Sequence, residues 1–304
     1  MKPKLFINLF FILPVVLLLL LSPIAVPLQS EAGKATNVSN VLGRTVPLNI
    51  IWDDFESPNW NYNYQDHVCC HGFWIGTIGL GEPDRGDPEL LKCIATPDGG
   101  KNGSTRALEI RTNEIDSDKV PYQEDLRTIN FEKKLGRKLT RTDQPVVTVR
   151  VWLPPFDQWG DYYKFGFRQE FIRKNDFQYY QYYASIFFVY DKPRPFFIFR
   201  IHPNLEKKAI EILGGPIRKP GWWTLAIAFD EKGVDYYYAR PGVDIPTEED
   251  KIFDTRQLKA KEDTYDSSMD KVAYSFFSLM YPETGNASPQ FVIDDYEVWV
   301  VKDK

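Results

Sequence analysis

The stretch RTNEIDSDK, Arg111 to Lys119, sets an arginine beside three carboxylates, Glu114, Asp116 and Asp118. Alternate residues of a strand share a face, so these acids can form a ladder. Two carboxylates about 5–5.5 Å apart are what retaining glycoside hydrolysis needs, one as nucleophile and one as acid. The same residues also suit a strand end running into a turn, because DSDKVP is rich in turn formers. A second group is basic and aromatic. Arg150, Trp152, Lys164, Arg168, Glu170, Arg200 and His202 fall at alternate positions of three apolar runs, and QYYQYYAS adds Gln181 and Tyr183. Guanidinium groups clamp hydroxyls and carboxylates through paired hydrogen bonds, and aromatic rings stack on the C–H faces of sugars. With the three runs read as neighbouring strands and Arg111 at the rim, these residues form a groove for a glycan, an acidic one in particular. The competing reading is a solubilised sheet face, with Arg and Lys stems laid over aromatics. For chemistry on a uronate polymer the candidates are His202 and Tyr183 as base and acid, with Arg200 neutralising the carboxylate.

The elements that must position these residues are strands. Eleven short runs, from NIIWDDFE through PVVTVRVWLP, YYKFGFRQEF and FFIFRIHP to FVIDDYEVWVVK, alternate with separators such as PDGGKNG, YDKPRP and DEKG, rich in Gly, Pro and Asp. Only PTEEDKIFDTRQLKAKED and the region Tyr122–Arg141 carry enough Lys and Glu for a helical turn or two. With no alternating helices, this pattern predicts an all-β, two-sheet antiparallel sandwich. Aromatic residues make up 15% of the chain, which suits strands with large buried or ligand-facing surfaces. The net charge of -5 gives no bulk attraction to nucleic acid or to an anionic membrane surface.

Three segments carry a resemblance. IIWDDFE, GWWTLAIAFDEKGVDYYYARPG and FVIDDYEVWVV resemble the first, middle and last strands of concanavalin-A-like lectin/glucanase jelly rolls, extracellular and carbohydrate-associated proteins. The resemblance implies a single jelly-roll domain over residues 49–304. It also implies a structural calcium joining opening and closing strands, with Asp53, Asp54 or Glu56 opposite Asp294 or Asp295. Calcium takes six to eight oxygens, which clustered carboxylates and carbonyls supply; the alternative is that Asp-Asp pairs bond backbone amides at strand ends. EIDSD resembles the E-I-D-x-E ladder of laminarinase-like endoglucanases, with Asp118 in place of the last Glu. RTNEI resembles the R-T-E-L strand of alginate lyase jelly rolls with one residue inserted, and RIH echoes their Gln-x-His. The fold hosts many functions. The residues favour a non-catalytic module that binds a glycan, with a polysaccharide lyase as the alternative, then a glycoside hydrolase or a structural surface protein.

Lys2 and Lys4 precede an apolar run from Leu5 to Val26, so residues 1–32 read as a signal peptide or a membrane anchor. Cleavage near Ala32 is favoured, followed by a flexible lead-in at 33–48. The setting is then secreted, periplasmic or cell-surface, or membrane-anchored if the segment is kept; the membrane enters only through it. Cys69, Cys70 and Cys93 fit that compartment with one disulfide to Cys93, and CCHGF is too poor in well-spaced ligands for a zinc site.

Overall fold

The computed structural model describes residues 45–60, 74–78, 82–83, 89–101, 103–112, 123–128, 130–159, 163–172, 181–191, 194–201, 209–256, 258, 269, 271–280 and 287–301. The N-terminal apolar run, Cys69, Cys70, the acids Glu114, Asp116 and Asp118, and His202 lie outside them. Among the described residues no helix is long and apolar enough to cross a membrane.

Among the described residues, two antiparallel sheets of eight strands each face one another. Sheet 1 holds β1 (Thr45–Asp53), β4 (Leu91–Ala95), β5 (Arg106–Ile110), β7 (Val146–Leu153), β12 (Gly221–Phe229), β13 (Asp235–Pro241), β14 (Lys251–Asp254) and β16 (Phe291–Val301). Sheet 2 holds β2 (Trp74–Ile78), β3 (Glu82–Pro83), β6 (Gln123–Thr128), β8 (Tyr163–Ile172), β9 (Gln181–Asp191), β10 (Arg194–Ile201), β11 (Ile210–Pro216) and β15 (Lys271–Met280). Sheet 1 runs in the order β14-β13-β12-β7-β16-β5-β4 with β1 added to β16, and sheet 2 runs β11-β10-β9-β8-β15-β6-β2-β3. This is the jelly-roll sandwich that the pattern and the resemblance imply. All eleven expected runs are strands. Five more, β2, β3, β4, β6 and β14, were not expected. Of the two Lys- and Glu-rich regions, one supplies the short helix α1 (Phe131–Leu135). The other gives a 3₁₀ turn at Glu248–Asp250 and then β14, because Lys251–Asp254 pairs with Tyr236–Tyr238. β1 begins at Thr45, inside the segment read as lead-in, because Thr45 is the register partner of Val301.

Period-two alternation supplies the core. Val147, Val149, Val151 and Leu153 of β7 face Phe165, Phe167 and Phe171 of β8 across the sandwich, all buried. Rings from the two sheets interlock: Phe165 stacks on Phe291 at 4.7 Å, Trp74 meets Tyr296 edge-on at 5.1 Å, and Phe199 lies 5.4 Å from Tyr237. Each buried ring contributes roughly 2–3 kcal/mol through area removed from water. Gln169 interrupts the apolar face of β8, and its amide is fully engaged. Its Nε2 donates to the Tyr274 carbonyl, and its Oε1 accepts from Ser275 Oγ at 2.6 Å. Ser275 Oγ in turn lies 2.7 Å from Tyr296 Oη, which links sheet 2 to sheet 1. The GWWTLAIAFDEKGVDYYYARPG segment is the β12–β13 hairpin. Its turn closes on Gly233 at φ +81, where a side chain would be strained.

Closing strand β16 has two partners on one edge. Phe291–Ile293 pair with β5, whereas Tyr296–Val301 pair with β1, and Asp53 lies opposite Tyr296. Between these halves the register against β7 shifts, and Asp295 takes φ +44. Such a bulge turns neighbouring side chains out of alternation, and Asp is among the few residues that tolerate that conformation.

Candidate functional site

The outer face of sheet 2 collects most of the expected groove. Register places Glu211, Arg200, Ser185, Arg168 and Phe276 in one row across β11, β10, β9, β8 and β15. Beside it runs Leu213, Ile198, Phe187, Gly166 and Ser278. On the other side, Glu170 lies opposite Tyr183 and Tyr274. Gln181 holds the register position opposite Ile172. Arg168 and Arg200 are partly exposed, whereas Ser185, Phe187, Glu170 and Ser278 are buried, so the guanidiniums stand above a packed floor.

The two arginines are held differently. Arg168 donates from Nη2 to Ser278 Oγ at 2.7 Å, and its guanidinium lies 5.0 Å from the Phe276 ring centre. Both contacts draw its tip toward β15. Arg200 has no hydrogen-bond or ion-pair partner among the described residues, since the facing Glu211 pairs instead with Lys164 at 3.3 Å. Between them the Ser185 hydroxyl is buried without a hydrogen-bond partner among the described residues. Phe187 lies over Gly166, where an added Cβ would sit 2.1 Å from its ring. The glycine is what lets an aromatic ring pave this face.

Three expected groove residues stand elsewhere. Arg150 and Trp152 belong to β7, which pairs with β12 and β16, so they lie on the outer face of sheet 1. Arg150 is buried there: its Nη1 donates to Glu297 Oε2 at 3.0 Å and its Nε to the Val243 carbonyl at 3.1 Å. Trp152 Nε1 donates to Asp98 Oδ2. Arg111 follows β5 in sheet 1 and pairs with Glu109. This face therefore carries Lys164, Arg168 and Arg200 partly exposed and Glu170 buried, with Gln181 and Tyr183 on its β9 register positions. Alternation identified the faces correctly, yet it does not say which sheet a strand joins. Ser185, Phe187, Phe276 and Ser278 were missed, although YASIFFVY and AYSFFSLMY place them opposite the core residues of their own strands.

The acids assigned to calcium lie where β1 meets β16, but hydrogen bonds and ion pairs occupy them separately. Asp53 points inward and accepts from Trp60 Nε1, Trp74 Nε1 and Phe55 N. Glu56 accepts from the Thr105 and Arg106 amides at 2.7 and 3.0 Å. Asp294 accepts from Ser104 Oγ at 2.7 Å and from Asp295 N at 2.8 Å. Burial, then the neighbouring Asp295 carboxylate, pushes its carboxyl up to about 7. Asp295 sits 3.5 Å from Lys101 Nζ and 3.8 Å from Arg150 Nε. Among the described residues no group of three or more His, Cys, Asp and Glu converges as a metal site. Asp53 is turned to the Trp60 and Trp74 indoles, and Lys101 and Arg150 flank Asp295. The half-buried Cys93 places its thiol 3.7 Å from the Phe55 carbonyl at the same junction.

No protein-family profile matches the sequence, and no curated protein matches it. Solved structures are similar in architecture. The GH16 protein of the Bacteroides ovatus mixed-linkage glucan system, solved with a G4G4G3G product, is 10% identical with a TM-score of 0.47, covering 82% of this chain and 99% of its own. An alginate lyase from Pseudomonas aeruginosa is 8% identical with a TM-score of 0.44, covering 69% and 85%. A legume lectin-like domain from Entamoeba histolytica is 10% identical with a TM-score of 0.40, covering 71% and 94%.

Proposed function

We propose that this chain is an extracytoplasmic glycan-binding jelly-roll module, and that the outer face of sheet 2 holds an acidic polysaccharide without cleaving it. The observation that carries the reading is the Arg200–Ser185–Arg168 row, two partly exposed guanidiniums on one face above a floor of Phe187 and Phe276. Arginine suits this role because its planar donors match carboxylates and sulfates in pairs. The extracytoplasmic setting rests on the apolar run after Lys4.

The test is retention of the full chain on immobilised acidic polysaccharide. Replacing Arg168 and Arg200 together by alanine removes two charge-assisted interactions of about 1.5–3 kcal/mol each, so retention should fall by roughly a hundredfold or more. The melting temperature should move little, because both side chains are partly exposed. Normal retention by a folded double variant would sink the proposal. Release of unsaturated uronates from the same polymer would replace binding alone with β-elimination.

A further inference from the structure

The two guanidiniums of this face are not set side by side. Arg168 and Arg200 stand on β8 and β10 with Ser185 of β9 between them, in direct register. Neighbouring strands are 4.7–4.9 Å apart, so their backbones are separated by about 10 Å. Arg168 is also turned away from β9, toward Ser278 and Phe276 on β15. To meet Arg200 over Ser185 it must give up both contacts. In its observed position the anion it binds lies at least two strand spacings from the backbone of Arg200.

A pyranose advances a polysaccharide chain by about one strand spacing, so carboxylates two residues apart match the two strand spacings between the arginines. Carboxylates on residues one and three fit. We infer that the groove is built for an oligomer of at least three sugars lying across the strands, its first anion on the preset Arg168 and its second on Arg200. The inference rests on the acidic-glycan reading of the same face and adds length and direction to it.

The anchors differ in kind, which sets their energetics. Arg168 is already held by a hydroxyl and a ring, so it loses little side-chain freedom when an anion arrives. Arg200 has no such support and is ordered only by the ligand. A short acid should therefore use Arg168 alone, and added length is rewarded only when the chain reaches Arg200.

The experiment is calorimetric titration of the full chain with defined-length oligouronates, from monomer to hexamer, using wild type, Arg200→Ala and Ser278→Ala. Affinity should step up by roughly tenfold or more between dimer and trimer, the size expected for one charge-assisted contact. Arg200→Ala should remove the step, so that trimer and longer chains bind no more tightly than the dimer. Ser278→Ala should weaken every length by a similar factor, because it frees the anchor that all of them use. The length inference is overturned if uronates bind with no step at the trimer, or if the step survives in Arg200→Ala. Failure of every length to bind would overturn the acidic-glycan reading itself, and the inference with it.

Discussion

Replacing Asp53 tests how the opening strand is tied to the sandwich. Its carboxylate is 6% exposed and accepts three hydrogen bonds, from Trp60 Nε1 at 2.9 Å and Trp74 Nε1 at 2.6 Å on one oxygen, and from Phe55 N at 2.8 Å on the other. Alanine leaves these three donors without an acceptor. Each buried orphan costs about 1–3 kcal/mol, so the loss is roughly 3–9 kcal/mol. Part of it is offset because burial raises the Asp53 pKa, meaning that the folded state already bears a cost for holding the charge. The expected net loss is about 3–4 kcal/mol. Asparagine should fall between the two: with its oxygen toward the indoles it satisfies both, but its amide then faces the Phe55 N–H, donor against donor. Urea unfolding followed by near-ultraviolet circular dichroism reads both stability and the Phe55–Trp60–Trp74 ring cluster, whose centres lie 5.5 and 5.9 Å from Phe55. If Asp53→Ala stays within about 1 kcal/mol of wild type, the carboxylate does not hold those rings.

Asp294 should make stability depend on pH. Its folded-state carboxyl is raised from 3.8 to about 7, so between those values the folded chain keeps a proton that the unfolded chain has lost, and stability falls as pH rises through the window. The total is on the order of 4 kcal/mol. Asp294→Asn should flatten that slope in urea midpoints taken from pH 5 to pH 8, and curves that stay parallel to wild type would count against it. Gly166→Ala should destabilise by about 1–3 kcal/mol through the clash with Phe187, with a lower thermal midpoint as the readout. An unchanged midpoint would show that the ring moves aside freely.

The fold was legible because the long strands write their faces plainly. Phe165, Phe167 and Phe171 alternate with Lys164, Arg168 and Glu170, and the structure keeps every one on its expected side. The strands that escaped notice lack that signal. β6 reads QEDLRT, with Leu126 its one core hydrophobe, and β14 reads KIFD, flanked by charge. The groove was half legible for a different reason. Side-chain period reports which residues share a face of one strand, whereas neighbours are chosen by long-range pairing, so the sequence alone grouped β7 with β8 and β10. The resemblance set Asp53, Asp54 or Glu56 opposite Asp294 or Asp295, whereas the register puts Asp53 opposite Tyr296. Their chemistry was decided by Trp60, Trp74, Thr105 and Arg150, whose approach no local pattern announces.

The pairing of β1 with the second half of β16 also fixes how this sandwich answers to force. Thr45 faces Val301 and Val46 faces Val300, so the start of the first strand and the end of the last lie at the same end of one antiparallel ladder. Tension between the two ends opens that ladder like a zipper, one rung at a time, which resists far less than sliding two strands past each other. The rupture begins in sheet 1. Sheet 2, with Arg168 and Arg200, holds neither β1 nor β16, and it bears the load only after β1 has peeled away.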